Sequence, residues 1–471
     1  MVIYERAGAA LLPYFNEKTM AELGRGLQNS GHLNPEGAAL GLETLERFRA
    51  ILNSLGITDV FAVATAAVRV AEDGDQFRMR AAQALGVPLR VLSGAEEGRL
   101  SAKGVSVGFH NPQGLVADLG GSSLELCPLG AAAGEKGETY LLGALASSAD
   151  DGAPLSKRRK LVRRVIADSE LLAAKPKKLY AVGGSWRNVA AVHMMLSNYP
   201  LGVIHAKKLS RWDLDRVIEA ADGARHHKSI RQRLQSVAKR RYNSLLHVAL
   251  VLDTLLDQAG LDDVVMSAYG LREGVLAEGA ALSGDGLIDS VDLFLRLPDA
   301  SRAFGLELFQ FVLPIIERLD LSKTLVQAVC LMADAGGRMH PDHRVNLVFD
   351  QVLRAPLPNL KHSDRIFAAL SVASRYSANF ELAPDLAAIT GLKARVKART
   401  LGAAMRLGAV FSGRSAALLS RAQLEVDGST LVLHVREEDR ALVSETVRRR
   451  HKQLAEALGL DAVQSLSTEN V

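Results

Sequence analysis

Val116-Ala117-Asp118-Leu119-Gly120-Gly121-Ser122-Ser123-Leu124-Glu125-Leu126 is the stretch on which the reading of this chain turns. An apolar strand ends in an acidic residue, two glycines and two serines follow, and a second apolar strand carries one carboxylate. The pattern predicts a tight hairpin. Glycine lets a ligand approach the backbone closely, and consecutive N–H groups in such a turn form a concave anion nest. Asp118 is then placed to hold a divalent cation that bridges phosphate oxygens, and Glu125 is folded back toward the same ligand. Two readings stand on these residues alone: a phosphate-binding turn, or an ordinary hairpin with a solvated aspartate.

Upstream, Ser93 followed by Glu96 is a capping box, so a helix should begin there. Glu96 acquires a structural task, and Glu97, one step round the helix, is free to point elsewhere. Beside a phosphate nest its use would be activation of water as a general base; the alternative is that both glutamates only favour the helix dipole.

Taken with further segments, the chain resembles the exopolyphosphatase / guanosine pentaphosphate phosphatase (Ppx/GppA) family, of the alphaproteobacterial type. The matching residues are Phe15-Asn16-Glu17-Lys18, Leu23-Gly24-Arg25-Gly26-Leu27, Val63-Ala64-Thr65-Ala66-Ala67-Val68-Arg69, Ser93 to Ala102, Asp118 to Leu126, Ala181-Val182-Gly183-Gly184-Ser185-Trp186-Arg187, Ser267 to Gly274 and His340-Pro341-Asp342. The resemblance implies two actin-like (ASKHA, ribonuclease H-like) α/β domains around a cleft, then a helical HD-like domain and a small α+β C-terminal domain. The boundaries expected are 1–112, 113–280, 281–405 and 406–471.

The resemblance also implies the chemistry, which is Mg²⁺-dependent hydrolysis of the terminal phosphoanhydride of inorganic polyphosphate, releasing orthophosphate. Guanosine pentaphosphate is the second family substrate. Position by position, Glu97 is expected to orient and deprotonate water, and Glu125 to act on water or on Mg²⁺. Asp118 lies in the Mg²⁺-positioning motif. Gly120, Gly121, Ser122 and Ser123 would offer donors to phosphate, Arg69 would grip a terminal phosphate, and Gly183 and Gly184 would hold distal phosphates. A homodimer is the family expectation.

In the family pattern a first phosphate loop, D-x-G-S-N-S, opens domain one. Met1-Val2-Ile3-Tyr4-Glu5 reads as the tail of the strand after that loop, so the numbered chain is expected to begin roughly twenty residues late, judged against typical strand lengths. The first sheet would then lack its middle strand, Val60–Ala64 would lack a neighbour on one side, and activity would be weak. A second departure is Ser122, where the family has a third glycine; at φ > 0 a serine would cost about 1 kcal/mol. Two rival readings follow: a protein that retains polyphosphate or guanosine tetraphosphate without turnover, and an actin-like kinase, which the paired carboxylates disfavour.

Composition bounds these readings. With 471 residues and 48% hydrophobic content, the chain should divide into more than one core. Two cysteines, Cys127 and Cys330, make no disulfide framework and read as buried thiols in a reducing cytoplasm. No secretory signal or membrane span is read. The formal net charge is +5, with basic clusters at Lys157-Arg158-Arg159-Lys160, Lys239-Arg240-Arg241 and Arg448-Arg449-Arg450-His451-Lys452. A polyanion would profit from them; the alternative is solvated helix faces. No zinc ligands or RNP-type aromatic pairs accompany them, so polyphosphate fits better than nucleic acid.

Along the chain, Leu40–Leu55, Lys157–Leu172, Arg241–Leu256, Leu306–Leu319, Lys323–Ala333, Arg365–Ser374 and Glu437–Leu458 read as helices. Val60–Ala64, Leu89–Leu92, Lys178–Val182 and Val264–Ala268 read as strands. From about Ala281 to Met405 strand signals vanish. A family His-Asp doublet would fall at Ala333-Asp334, so its histidine is missing; His340 and His343 flank Pro341, which argues for a turn over a metal pair. Asp427-Gly428 predicts a hairpin between Gln423–Val426 and Leu431–Val435.

Overall fold

A computed structural model describes residues 1–130, 136–145, 153–279 and 285–467. The chain divides into two compact units, Met1–Ile3 with Pro13–Leu282, and Tyr4–Leu12 with Ser283–Val471.

The first unit is built around a six-stranded sheet. Its strands are β5 (Gly114–Leu119), β6 (Leu124–Leu129), β7 (Glu138–Tyr140), β8 (Leu179–Val182), β9 (Lys208–Ser210) and β10 (Asp263–Met266), in the order β7-β6-β5-β8-β10-β9. The middle trio β5, β8 and β10 is parallel, and the flanking pairings are antiparallel. Both faces are covered, which explains why β5 and β8 read as near-continuous apolar runs. Leu115, Ala117 and Leu119 of β5, with Leu179 and Ala181 of β8, join the core that contains Trp186, Val189 and the helix Leu245–Ala259. Val116, Tyr180 and Val182 turn the other way, onto Ala102 and Val105 of the helix Gly94–Gly108. By the period of two along a strand, Asp118 shares the face of Val116.

Upstream of this sheet, β3 (Ala62–Ala64) pairs in parallel with β4 (Leu89–Val91). Among the described residues β3 has β4 alone beside it, which is the one-sided neighbourhood read for Val60–Ala64. The helices Pro35–Ser54 and Gly74–Leu85 cover this pair through Phe48, Leu52, Phe77, Ala81 and Leu85. β1 (Val2–Ala7) and β2 (Ala10–Asn16) form a separate two-stranded ribbon.

The second unit is helical from Gly286 to Leu419, and the absence of strand signals there matches the described residues. It ends in a three-stranded sheet of β11 (Ala422–Asp427), β12 (Thr430–Arg436) and β13 (Asp461–Ser467). The expected hairpin joins β11 to β12, with Asp427 opposite Thr430. β13 was not read from sequence; it lies parallel to β12 after the helix Glu445–Leu458, the crossover that a parallel pair requires.

Several helical readings need correction. The run at 437–458 is a 3₁₀ segment, Glu437–Leu442, followed by a helix capped by Ser444. The run at 241–256 is likewise a 3₁₀ segment, Lys239–Ser244, before the helix Leu245–Ala259. The basic helix stops at Val165, and a short helix capped by Ser169 follows. In each case apolar spacing persists across the break, so periodicity alone does not reveal it. Most of the Gly- and Ala-rich loop read at 130–137 lies outside the described residues. Cys127 and Cys330 are buried free thiols. Asp334 sits beside Arg375 and Arg414 at 3.4 and 3.1 Å, and His340 is exposed. Among the described residues no helix is long and apolar enough to cross a membrane.

Candidate active site

Three carboxylates meet on one face of the six-stranded sheet. β5 and β6 place Asp118 directly opposite Glu125. The helix Gly94–Gly108 lies against that face and brings Glu97. Its start is fixed by the expected capping box: the Ser93 hydroxyl accepts from the Glu96 N–H at 3.2 Å, and the Glu96 carboxylate accepts from the Ser93 N–H at 2.9 Å. Arg90 beside it, with those Ser93 bonds, holds the Glu96 carboxyl down at about 2. Glu96 is thus a structural anion and Glu97 the inward one. Gly98 faces Cys127 and Glu125 of β6, where a Cβ would make ordinary contacts at 3.4 and 3.6 Å.

The electrostatics are unusual for carboxylates. Glu97 is 5% exposed, Asp118 8% and Glu125 1%. Burial, then the charge of Asp118, pushes Glu97 up to about 7 against the pull of Arg69. Burial and then Glu97 push Glu125 up to about 8. Both Glu125 oxygens are buried without a well-formed hydrogen bond among the described residues; the nearby Ser123 hydroxyl and Arg69 favour its charged form only in part. Burial also raises Asp118, whose carboxylate accepts from the Ser101 hydroxyl and is drawn back by that bond and by Arg187. Like charges packed this way in low dielectric hold a shared proton or a cation.

Those orphaned Glu125 oxygens fit a hard divalent cation such as Mg²⁺. Among the described residues no group of three or more His, Cys, Asp or Glu side chains is arranged to hold a metal unaided. Mg²⁺ does not require one, because it is commonly bound through one or two carboxylates together with substrate phosphates and water.

The turn after β5 is pinned through its carbonyls. Gly120, Gly121 and Ser122 accept from Ala144, Leu145 and Gly143 at 3.1, 2.8 and 3.3 Å. None of Gly120, Gly121 and Ser122 has positive φ, so the strain considered for Ser122 does not arise. A Cβ at Gly120 or Gly121 would meet nothing closer than 3.5 Å. Neither backbone strain nor crowding demands glycine at these two positions. Gly24, from the segment Leu23–Leu27, comes so near that its Cβ would lie 2.8 Å from the Ser122 hydroxyl.

Beside this turn, β8 runs into the helix Gly184–Leu196. Gly183 has φ 115 and its Cβ would lie 2.5 Å from the Leu119 carbonyl, so only glycine fits. Asp118 pairs in register with Val182. The two glycine turns therefore leave the same end of neighbouring parallel strands, where open α/β sheets bind ligands, and one of them is a helix N-terminus suited to an anion.

Cations gather at that N-terminus. A Cβ at Gly184 would strike the Arg241 guanidinium at 2.3 Å. Burial lowers the Arg241 pKa. Burial lowers Lys18 too, followed by the charges of Arg241, Arg272 and Arg187. Arg187 donates to the Ala268 carbonyl at 3.0 Å and reaches Asp118 electrostatically, so the cationic cluster borders the carboxylates. None of these four cations was singled out from sequence. Lys18, Arg187 and Arg272 lie in stretches that carry the resemblance, which is the signal that was there to use; Arg241 lies in a basic run that equally suits a solvated face. Arg69, expected on a phosphate, donates to Glu97 at 3.2 Å and to the Leu92 carbonyl at 2.6 Å.

A mixed sheet covered on both faces, with two glycine turns and buried acidic residues at one end of its parallel strands, is an arrangement suited to phosphate groups. Residues 2–281 match the model of the Ppx/GppA phosphatase family, and residues 310–463 match that of the exopolyphosphatase C-terminal domain; the chain belongs to the Ppx/GppA phosphatase family. Among similar solved structures is an Aquifex aeolicus family member, 20% identical, with TM-score 0.50, covering 59% of this chain and 92% of that one. Another is an exopolyphosphatase from Cytophaga hutchinsonii, 22% identical, with TM-score 0.52, covering 60% and 95%. These likenesses establish the actin-like fold of the α/β part.

Proposed function

We propose that this phosphatase is an exopolyphosphatase that removes the terminal phosphate of inorganic polyphosphate as orthophosphate, with Mg²⁺. The observation that carries the reading is the cluster of Lys18, Arg187, Arg241 and Arg272 at a helix N-terminus, which reaches the buried carboxylates through Arg187 and Asp118. A chain of phosphates would lie over these cations with its last unit at the carboxylates.

Water oxygen attacks the terminal phosphorus, the water proton passes to Glu97, and the bridging P–O bond breaks with its electron pair leaving on the shortened chain. A base with a pKa of about 7 is matched to neutral pH. The N–H groups of Gly121, Ser122 and Ser123 hold the transferred group, that of Gly120 being donated to the Ser123 carbonyl at 2.9 Å, and Arg69 orients the Glu97 carboxylate through their ion pair. Asp118 and Glu125 would hold Mg²⁺, which when bound neutralises phosphate oxygens as their charge redistributes. Gly183 and Gly184 lie along the path of the distal phosphates.

Guanosine pentaphosphate remains the second reading, because a compact set of four cations beside a helix N-terminus also suits a nucleotide carrying clustered phosphates. Orthophosphate release from long polyphosphate and from guanosine pentaphosphate, at matched concentrations with Mg²⁺, decides between them. A higher kcat/KM on polyphosphate, rising with chain length, supports the proposal; a higher value on the nucleotide overturns it.

A further inference from the structure

In the helical unit, three helices line an open cavity of about 170 Å³. They are His362–Tyr376, Leu392–Ser412 and Glu445–Leu458. Its walls are Ser374, Ala378, Arg399, Ala403, Arg406, Arg450 and Gln453. Three of these seven residues are arginines and none is acidic. The size excludes a drug-sized organic ligand, which needs roughly 300–1,000 Å³, and is ample for one or two phosphate groups, given about 30 Å³ of liquid volume per water molecule.

The arginines are held in place by neutral partners. Arg406 donates to the Tyr376 carbonyl at 2.7 Å, Arg399 to the Ala378 carbonyl at 3.4 Å, and Arg450 to the Gln453 side-chain oxygen at 2.7 Å. A guanidinium carries five N–H donors, so each of these bonds positions the group without saturating it. The Arg450 Nε is buried with no partner among the described residues. Independently, the Ser374 hydroxyl on the cavity wall is buried and unpartnered, in a residue only 3% exposed. Burial lowers the Arg406 pKa, and the charges of Arg450 and Arg375 lower it further. Arg375 has its own carboxylate, Asp334, at 3.4 Å; the three cavity arginines have no ion pair of their own among the described residues.

Like charges gathered at a partly buried wall are unfavourable unless an anion joins them. Planar guanidinium forks match the oxygens of phosphate in pairs, and a neutral hydroxyl and amide complete such a shell. We propose that this cavity is a binding site for a phosphate anion, distinct from the carboxylate site, that takes orthophosphate or the terminal phosphate of a polyphosphate chain. Arg450, one of its ligands, belongs to the basic run 448–452 whose purpose the active site leaves unexplained.

The test uses the full chain and equilibrium dialysis of labelled orthophosphate and, separately, of short polyphosphate, at low ionic strength. Wild type is compared with Arg450→Gln, Arg406→Gln, Ser374→Ala and the charge-retaining Arg450→Lys. Loss of a charged hydrogen-bond donor should weaken one class of site on the order of 10–100-fold. Arg450→Lys should fall between Arg450→Gln and wild type, and phosphate release at saturating substrate should be unchanged in all four. Without phosphate, Arg450→Gln and Arg406→Gln should melt no lower than wild type, because a repelling charge is gone. Weakening of both ligands supports a site for a terminal or free phosphate, and weakening of polyphosphate alone supports contact with the chain end. Unaltered affinity and stoichiometry for both ligands, in variants that melt like wild type, overturns the proposal. Because binding at this cavity is the readout, the result stands apart from the assignment of the active site.

Discussion

Glu125→Gln should stabilise the protein at high pH while it destroys turnover. In the folded state the Glu125 carboxyl is pushed from an ordinary 4.5 to about 8, and it is 1% exposed. Below the unfolded value both states carry the proton and the group has no effect on stability. Between 4.5 and about 8 the unfolded chain loses the proton and the folded chain keeps it, so stability falls with rising pH. Above about 8 the full penalty is present. At about 1.4 kcal/mol per pH unit the whole interval corresponds to an upper limit of roughly 4–5 kcal/mol; part of it is shared with Glu97, which leaves on the order of 2–4 kcal/mol for this residue. Glutamine keeps the shape and removes the ionisation. With EDTA present, the variant should melt on the order of 4–8 °C above wild type at pH 9 and close to wild type at pH 4.5. Millimolar Mg²⁺ should narrow the gap at pH 9, because the cation stabilises the wild-type carboxylate and not the amide. Calorimetric melts at the two pH values decide the matter. Equal melting temperatures at both would mean that Glu125 ionises as freely in the fold as outside it, and the account of the site as a strained carboxylate pair would fail.

Glu97→Gln should lower kcat on polyphosphate by about 10²–10⁴, the usual cost of a lost general base, with KM little changed; undiminished turnover removes Glu97 from the mechanism. Arg69→Gln removes the ion pair at 3.2 Å that opposes burial of Glu97, so the acid limb of the pH–rate profile should move up by about 1–3 pH units, and a profile that stays in place refutes that orienting role. Arg241→Ala and Lys18→Ala should weaken polyphosphate binding and flatten its salt dependence, with a smaller effect on tripolyphosphate; salt titrations that match wild type argue against a distal-phosphate role for this cluster. Gly274→Ala would place a methyl 1.8 Å from the Leu100 carbonyl, forcing apart the helices Gly94–Gly108 and Leu271–Gly279; destabilisation of about 3 kcal/mol or more is expected from such overpacking, and a melt within one degree of wild type would show that the helix pair can slide.

What could be read in advance follows from the range of the interactions involved. The Asp118–Glu125 hairpin and the Ser93 cap are local, so residue order alone folds Glu125 back toward Asp118 and gives Glu96 its capping task; the inward turn of Glu97 comes from the packing of its helix on the sheet. The cation cluster is not local. Arg241, in the 3₁₀ segment before the helix at Leu245, meets Gly184 from far along the chain, and a run of basic residues carries no mark that separates this arrangement from a solvated helix face. β13 escaped for a related reason: Asp461-Ala462-Val463-Gln464-Ser465-Leu466-Ser467 alternates weakly, and its partner lies across a helical crossover, so its strand character comes from pairing with β12 and not from its own pattern. Ser122 is the reverse case. Strain there depended on a positive φ, and the turn, whose carbonyls accept from the N–H groups of Gly143, Ala144 and Leu145, needs no left-handed residue at that position. The same contacts explain why the two remaining glycines matter. With the turn fixed from its carbonyl side, side chains at 120 and 121 would be tolerated by the fold and would obstruct only what approaches from the other side. Gly121→Ala should therefore leave the melting temperature close to wild type and weaken phosphate binding, a separation of stability from function that a purely structural turn would not give.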